Sequence, residues 1–262
     1  MKKTAVILLV SLLTSALLCS CNTNEKGSNP NVRFLITELT QTTPEGSMKY
    51  VSQYDDEGKR IEQTAYKDGE EQSVTTFTYD ENGNENGFIF VSPEYTTTEE
   101  WMNDEEGRII SRTSTTESPS ETSVTVDEYQ YEYTDDNGSY VMTSVTNGQS
   151  GFAYSYTYND KHALIEETFF ANGIEYSRTK YDEHGNPTEI ISANGETTTY
   201  KNRYAGGLLK ETTQRNSDGA VQTKTVYSYD EHGNVIMKVQ TDGTGAVVLT
   251  TEIAYVEFEI NK

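Results

Sequence analysis

The feature that most constrains this sequence is a motif that returns at a nearly fixed spacing. A tyrosine or equivalent anchor, then acidic or amide residues and usually a glycine, occurs eight times, with anchors separated by 25, 24, 30, 25, 23, 23 and 25 residues. The anchors are Tyr54, Tyr79, Asn103, Tyr133, Tyr158, Tyr181, Tyr204 and Tyr229. A period in this range is typical of repeat proteins, in which each unit is one supersecondary element.

A second turn signal falls midway through each unit. Asn-Gly and Asp-Gly pairs favour two-residue hairpin turns of type I′, because both central residues need positive φ. These pairs are Asp68-Gly69, Asn147-Gly148, Asn172-Gly173, Asn194-Gly195, Asp218-Gly219 and Asp242-Gly243. The longer acidic turns fit a type I turn closed by a left-handed glycine. Each unit is therefore predicted to be two strands and two turns.

The segments between turns alternate with period two. In residues 152–158, Phe152, Tyr154, Tyr156 and Tyr158 share one face, and small polar residues occupy the other. No segment after residue 31 has a sustained helical period. We predict an all-β fold, an antiparallel meander of tandem hairpins with about 18 strands and a repeat of 23–25 residues. The tyrosines are expected to pack across strands rather than to form a ligand platform.

The number of strands sets an expectation for the overall shape. Laid flat, such a sheet would be roughly 80 Å wide, and open sheets rarely exceed about ten strands without curling. We therefore expect a long, twisted or coiled sheet, and the sequence leaves open whether it closes. Residues 113–125 are predicted to be a longer polar excursion that explains the 30-residue step.

The N-terminus has the pattern of a bacterial lipoprotein signal peptide. Lys2 and Lys3 precede an uncharged, mostly apolar run at residues 5–18, which is too short for a membrane span. The following Leu18-Cys19-Ser20-Cys21 resembles a lipobox, with cleavage between Ser20 and Cys21 and lipid on Cys21. Cys19 is the poorer candidate because the bulky Leu18 precedes it. A chance cysteine after an ordinary signal peptide is the alternative.

These assignments give three segments. Residues 1–20 are the signal peptide, whose helix is removed on maturation; residues 21–32 are a lipidated flexible tether; residues 33–262 are the repeat domain. Asn22 is not the aspartate associated with inner-membrane retention, which favours an outer-membrane location, facing the periplasm or outward. Two lipid chains or more anchor a protein stably. No cysteine remains after Cys21 for disulfides or metal sites.

The charge excludes one class of partner. The chain has 20 basic and 42 acidic residues, a formal net charge of −22 at pH 7. Nucleic-acid binding requires a basic surface, so we expect no nucleic-acid partner. Apolar residues make up only 34% of the chain, yet 19 tyrosines are too many for a disordered chain. The composition suits sheets that are half exposed to water.

The repeat resembles the YD repeat of bacterial Rhs-like proteins. The best matches are residues 226–243 (VYSYDEHGNVIMKVQTDG) and 181–204, and the resemblance extends over residues 34–258. It implies hairpins that spiral into shells, extracellular or envelope roles, and carbohydrate binding. Large Rhs proteins enclose a toxin, which we do not expect here because the units are far fewer. The chain is similar to short YD-repeat lipoproteins of Bacteroidota.

The residues indicate no active site. His162, His184 and His232 are interpreted as residues at equivalent turn positions of the repeat that have no functional role. The acidic turns offer oxygen ligands for calcium, which stays an open alternative to solvated turn residues. No catalytic, cofactor-binding or metal-binding motif occurs. We predict that the chain is not an enzyme and uses no cofactor.

Three functions are carried forward. The first is a non-catalytic, lipid-anchored envelope protein that binds a glycan or another protein, with Trp101 as the candidate ligand-binding residue. Trp101, near Tyr95 and Glu99, is interpreted as the one aromatic outside the repeat register. The second is a structural or assembly protein whose open sheet edges pair with a partner strand. The third is a carbohydrate-active enzyme with two converging carboxylates.

Overall fold

The protein folds into eighteen strands. A computed structural model describes residues 32–260, so the predicted signal peptide, Ser20, Cys21 and nearly all of the predicted tether lie outside the described residues. The strands are β1 (Val32–Thr43), β2 (Gly46–Tyr54), β3 (Arg60–Lys67), β4 (Glu70–Tyr79), β5 (Glu85–Val91), β6 (Thr96–Asn103), β7 (Ile109–Glu117), β8 (Thr122–Tyr133), β9 (Tyr140–Thr146), β10 (Gln149–Tyr158), β11 (Leu164–Ala171), β12 (Ile174–Tyr181), β13 (Pro187–Ser192), β14 (Thr197–Ala205), β15 (Leu208–Arg215), β16 (Val221–Tyr229), β17 (Val235–Asp242) and β18 (Val247–Glu259).

The sheet is a continuous antiparallel meander that closes on itself. Each strand pairs with its neighbours in sequence, and β1 also pairs with β18, from Val32 opposite Glu259 to Thr42 opposite Thr250. The predicted all-β meander of about 18 strands is confirmed. The expectation that open sheet edges pair with a partner strand was wrong. Every described strand has a partner on both sides, so no open edge remains among them.

Two-residue turns form where the predicted pairs adopt positive φ. Asn147 and Gly148 have φ of 48° and 74°. Both residues of the pairs Asp68-Gly69 and Asn172-Gly173 also have positive φ. The type I′ prediction was wrong for the pairs beginning at residues 194, 218 and 242. There the chain forms longer turns, such as the one closed by the Ala246 carbonyl accepting from the Asp242 amide at 2.9 Å. The extra residues let a side-chain oxygen cap the turn.

The acidic turns are built around one carboxylate. The Asp230 Oδ1 atom accepts from the backbone amides of His232 at 2.9 Å and Asn234 at 2.8 Å. Gly233 between them has φ of 83°, a conformation that glycine adopts without a Cβ penalty. The same carboxylate cap recurs at Asp55, Asp80, Asp104, Asp135 and Asp182. This explains why the motif repeats an aspartate followed by glycine.

Residues 113–125 are not the predicted excursion. They extend the hairpin β7–β8, with Thr113 opposite Val126 and Thr115 opposite Val124. Only residues 118–121 lie between the two strands. The Ser118 hydroxyl donates to the Glu121 carbonyl at 3.1 Å and closes this turn. Threonine-rich polar sequence favours strand when its β-branched side chains alternate on a pleated sheet, so the 30-residue step reflects longer strands.

One face of the sheet carries most of the aromatic side chains. We call it the aromatic face, and register places on it the buried side chains Leu39, Ala65, Phe77 and Ile253. Strands β14 and β16 alternate between half-buried residues on this face and mostly exposed residues on the other. The concave side of a closed sheet is its inside, so the more buried aromatic face lines the interior.

The interior is wide. A round sheet of 18 strands would be roughly 35 Å across, too far for opposing side chains to meet. Accordingly, within residues 32–260 each strand contacts only the strands beside it, and no described side chain is under 2% exposed. The protein is therefore a single-layered closed sheet whose aromatic face is partly wet.

Hydrogen bonds from aromatic side chains tie the strands of several hairpins together. In five hairpins, a tyrosine in the C-terminal half of an even-numbered strand donates to a main-chain carbonyl of the preceding strand. The Tyr79 hydroxyl lies 2.8 Å from the Arg60 carbonyl oxygen, and the Tyr54 hydroxyl 2.7 Å from that of Ile36. Tyr131, Tyr229 and Tyr255 make the same bond. The regular tyrosines thus have a structural role at the strand ends.

Candidate functional site

The aromatic face is most crowded between β8 and β11. Ring centroids lie within 4.8–6.5 Å of one another in an unbroken series across these four strands. We call this series the aromatic cluster; it consists of Tyr129, Tyr131, Tyr133, Tyr140, Phe152, Tyr154, Tyr156, Tyr158 and Phe169. It forms because period-two aromatic runs on β8 and β10 flank the short strand β9, which contributes Tyr140.

Six rings of the aromatic cluster line a wide-open cavity of about 500 Å³, and Arg108, Ile109 and Met142 complete its lining. The six rings are those of Tyr129, Tyr131, Tyr140, Phe152, Tyr154 and Tyr156. Tyr140 is one of the lining residues, and its ring lies 4.8 Å from the Tyr156 ring. Burial, and then the neighbouring Tyr158, raises the pKa of the Tyr140 hydroxyl to about 12. Burial also raises the pKa of Tyr156. These hydroxyls therefore stay neutral at physiological pH, and the cavity offers ring faces and neutral hydroxyl groups.

Arg108 closes one side of the cavity. Its guanidinium carbon lies 4.9 Å from the centroid of the Tyr131 ring, and Asp104 Oδ2 accepts from its Nε at 2.6 Å. A further ion pair joins it to Glu106 at 2.9 Å. Since two carboxylates neutralise Arg108, it contributes little free positive charge to the cavity.

A buried carboxylate lies beside Tyr129 on the same face. Asp127 is 3% exposed. Its Oδ2 atom accepts from Arg112 Nη2 at 2.7 Å, and its Oδ1 from the Thr146 hydroxyl at 2.6 Å. Both oxygens are occupied by protein donors, which indicates a structural ion pair rather than a ligand-binding or catalytic acid.

Unlike that of Asp127, the carboxylate of Glu167 is not engaged by donors from the described residues. It lies directly opposite Tyr156 on the aromatic face, and Thr179 is its partner on the other side. Burial raises the pKa of its carboxyl group. Within the described residues, neither a hydrogen bond nor an ion pair to Glu167 is formed. A half-buried carboxylate without a partner is a signal of a functional site.

A second, smaller concave surface of about 230 Å³ lies on the aromatic face between β13 and β17. Its ten lining residues are uncharged: Asn186, Pro187, Tyr200, Asn202, Thr212, Gln214, Thr223, Thr225, Tyr227 and Gln240. Several bond to each other; the Thr212 hydroxyl donates to the Asn202 side-chain oxygen at 2.9 Å. The lining offers amides and hydroxyls for a polar, uncharged group.

Trp101 lies within the repeat register, contrary to the interpretation from sequence. Its half-buried indole nitrogen donates to the Glu85 carbonyl at 2.8 Å, the bond that tyrosines make in other hairpins. The ring lies edge-on to Phe88 at 6.2 Å. Register places Trp101 on the aromatic face, opposite Arg112. Trp101 lies two residues before the anchor position Asn103, the same offset from which Tyr131 makes the bond before the anchor Tyr133.

The three histidines do not occupy equivalent positions. His162 has φ of 57°, and so fills the left-handed position that glycine fills after His184 and His232. His184 packs on Tyr204 at 4.2 Å, and His232 on Phe34 at 4.7 Å. Within residues 32–260, no group of three or more metal-ligating side chains is arranged to hold a metal ion.

The two ends of the closed sheet differ in charge. The turns from even- to odd-numbered strands carry the acidic motif, and their ring is called the acidic rim. It includes Asp55, Asp56, Glu57, Asp80, Glu81, Asp104, Glu105, Glu106, Asp135, Asp136, Asp160, Asp182, Glu183, Asp230 and Glu231. Odd-numbered strands begin and even-numbered strands end here, so Val32 and Glu259 lie at this rim.

The sequence interpretation did not single out Glu167 or the cavity. A signal for Glu167 exists in residues 164–171 (LIEETFFA), where Glu167 alternates in phase with Phe169. Only the register with β10 shows that this phase faces the tyrosines. The aromatic cluster was expected as cross-strand packing, and the rings do pack across strands.

The comparisons with known proteins assign no family. No family model and no curated protein matches this sequence. Among solved structures, a crystal structure of TcdB2-TccC3-Cdc42 is similar over 74% of this chain, with 13% identity and a TM-score of 0.35. This chain spans only 11% of that one.

Two porin-like proteins are similar in length as well. The structure from Bacteroides uniformis has 12% identity and a TM-score of 0.44, over 86% of this chain and 97% of the other. The structure from Bacteroides vulgatus has 13% identity and a TM-score of 0.41, over 84% and 98%. Sequence identities and TM-scores this low assign no function to this chain. In the described part of the chain, no helical segment could cross a bilayer.

Proposed function

We propose that this protein is a non-catalytic, lipid-anchored envelope protein that binds a glycan through the aromatic cluster. The observation that carries the proposal is the series of tyrosine rings around an open cavity of about 500 Å³. Sugar rings have apolar faces that pack on aromatic rings and hydroxyl groups that bond to polar tips. Tyrosine provides both an apolar body and a polar tip, and ligand cavities combine apolar lining with a few polar groups.

The charge of the site supports a glycan over nucleic acid or a strongly acidic polymer. The chain has a net charge of −22, and Arg108, at the edge of the cavity, is already paired with Asp104 and Glu106. An anionic ligand would meet repulsion from the acidic rim and little free positive charge.

The proposal is non-catalytic because the aromatic face offers no free pair of acids beside the cavity. Hydrolysis of a glycosidic bond generally requires two carboxylates on either side of that bond. Asp127 has both oxygens engaged by Arg112 and Thr146. The other acids near the aromatic cluster are each paired with an arginine; they are Glu99, Asp104 and Glu106. Glu167 is then the one carboxylate beside the aromatic cluster without a partner among the described residues, which favours binding over cleavage.

The proposed location follows from the sequence and from the position of Val32. Lipid on Cys21 would hold the protein at the outer membrane, and the chain enters the sheet at the acidic rim. The ten residues from 22 to 31 span at most about 35 Å, whereas charge repulsion is screened over about 8–10 Å. The acidic rim can therefore face an anionic membrane without strong repulsion, with the opposite rim pointing away.

Glycan-array binding with purified residues 22–262 tests the proposal. Saturable binding that is lost in Tyr140→Ala and Tyr156→Ala supports it. The same array tests the sequence prediction for Trp101: loss of binding in Trp101→Ala alone would place the ligand on β6 instead. Circular dichroism checks that each variant is folded. Folded wild-type protein that binds no glycan would contradict the proposal and favour a structural role or a protein partner.

A further inference from the structure

Glu167 is the starting point, because its neighbours leave it without a counter-charge. The adjacent Glu166 points to the opposite face, where it lies 3.9 Å from Arg178. Asp127, on the same face as Glu167, is fully bonded. Among the described residues, Glu167 alone combines a half-buried carboxylate, a position beside the aromatic cluster and the lack of any bonded partner. A buried carboxylate without a partner carries a desolvation cost that a ligand can relieve.

Three tyrosines surround this carboxylate. Tyr156 is directly opposite on β10, Tyr154 is two residues along the same strand, and Tyr181 is on β12. Burial first, and then the negative charge of Glu167, raises the pKa of each of the three hydroxyl groups. The register puts Tyr156 directly opposite Glu167 and Tyr154 and Tyr181 at diagonal positions, and diagonal neighbours on one face of a sheet are within reach of long side chains.

The Glu167 carboxylate and the neighbouring tyrosine rings together favour a positively charged group on the ligand. Aromatic ring faces attract cations, and the attraction is stronger at partly desolvated sites. A carboxylate accepts a short, charge-assisted hydrogen bond from an ammonium group. A neutral sugar can also bond a hydroxyl to the carboxylate and pack its apolar face on the rings. An alkylammonium group gains more, because its charge is attracted both by the carboxylate and by the ring faces.

The charge of the rest of the molecule also favours a positively charged ligand. The acidic rim and the formal net charge of −22 favour the approach of cations over anions. Arg178 and Lys180, the basic residues of β12, are directed to the other face by the strand alternation and pair with Glu175 and Glu189. No protein cation therefore competes for Glu167 from this strand.

We propose that Glu167, Tyr154, Tyr156 and Tyr181 form a subsite for a protonated primary amine, and that the bound glycan carries an amino sugar with a free amine. This rests on the proposed function, since it specifies the ligand of the same surface. The subsite lies next to the cavity, so one sugar ring in the aromatic cluster would place a neighbouring amine at Glu167.

The test compares two hexasaccharides that differ in charge, one of β-1,4-linked glucosamine and one of β-1,4-linked N-acetylglucosamine. Calorimetry with residues 22–262 should give binding at least about tenfold tighter for the glucosamine hexamer. Glu167→Gln should reduce this preference to less than about threefold. The matched control Glu166→Gln should retain it, because Glu166 lies on the other face. Attraction to the overall negative charge would survive in both variants and would overturn the proposal.

A second measurement separates this inference from the glycan proposal. Methylammonium chloride is titrated while the ring resonances of the tyrosines are followed by NMR. Saturable shifts at Tyr154, Tyr156 and Tyr181 that vanish in Glu167→Gln support the amine subsite, even if no glycan binds and the glycan proposal fails. Glycan binding at the aromatic cluster with no preference for a free amine, and no methylammonium shifts, would overturn the amine subsite and leave the glycan proposal standing.

Discussion

The indole nitrogen of Trp101 donates to the Glu85 carbonyl oxygen at 2.8 Å, the distance at which the Tyr79 hydroxyl donates to the Arg60 carbonyl oxygen. Two chemically different side chains thus make one bond at corresponding ends of successive hairpins. In both hairpins the donor fixes the end of an even-numbered strand to its neighbour. The donor is the anchor residue itself in β4 and the residue two places before the anchor in β6, so a phenol and an indole hydrogen make the same bond from different repeat positions.

Removing that hydrogen should destabilise the sheet. Trp101→Phe and Tyr79→Phe are each expected to lower the free energy of unfolding by about 1 kcal/mol, measured by urea denaturation. Tyr176→Phe is the control, since Tyr176 is 60% exposed, its hydroxyl bonds to none of the described residues, and the change should alter stability by less than about 0.5 kcal/mol. Equal, negligible effects in all three variants would contradict the structural role.

Closure of the sheet depends on the pairing of Leu39 with Ile253. The two lie opposite each other across β1 and β18 and are 5% and 7% exposed. Leu39→Ala and Ile253→Ala should each cost about 2–3 kcal/mol, and the double variant should cost less than the sum because the residues are in contact. The outer-face control Val226→Ala, at 43% exposure, should cost under about 1 kcal/mol. Additive effects would contradict a direct contact.

Stability should fall in acid because of the turn aspartates. Backbone hydrogen bonds from Asn84 lower the pKa of Asp80 below its usual value, and the pKa of Asp135 is lowered by bonds from Ser139. A depressed folded-state pKa gives stability above the unfolded value of about 3.9 that is lost as pH falls through the folded value. The free energy of unfolding should therefore drop below about pH 4, less steeply in Asp80→Asn. An unchanged pH profile in this variant would contradict the capping role.

The effect of Glu167 on the pH dependence of stability should be opposite to that of the turn aspartates. Burial raises its pKa, so its stabilising contribution is complete below the unfolded value of about 4.3 and is lost as pH rises through the folded value. Glu167→Gln should therefore be more stable than wild type at pH 7, and the difference should disappear below about pH 4. Glu166→Gln, which loses its interaction with Arg178, should show no such gain. A destabilised Glu167→Gln protein would show that the carboxylate has a partner.

Membrane attachment is expected to depend on Cys21 alone. Cys21→Ala should move the protein from the membrane fraction to the soluble fraction, because no other lipidation site is predicted after residue 20. Labelling of growing cells with a radioactive fatty acid provides the direct measurement. A labelled Cys21→Ala protein would assign the lipid to another residue.

The strands were predictable because their signals are local. Period-two alternation and Asn-Gly or Asp-Gly turns act within a few residues, as in β10 and the turn at Asn147. Closure joins Val32 to Glu259, and no local pattern encodes a contact across the whole repeat domain. The register of Trp101 was missed because Asn103, the anchor that follows it, has no ring. Glu167 was missed because its environment is created by two neighbouring strands.

The most direct test of the binding proposal asks which face of β10 holds the ligand. Tyr156 lies on the aromatic face, and Ser155, the preceding residue, points to the other. For a glycan that the array identifies, calorimetry should show that Tyr156→Ala weakens binding by more than about tenfold and that Ser155→Ala leaves it unchanged. Binding that survives Tyr156→Ala, or that is lost in Ser155→Ala, would contradict a binding site on the aromatic face.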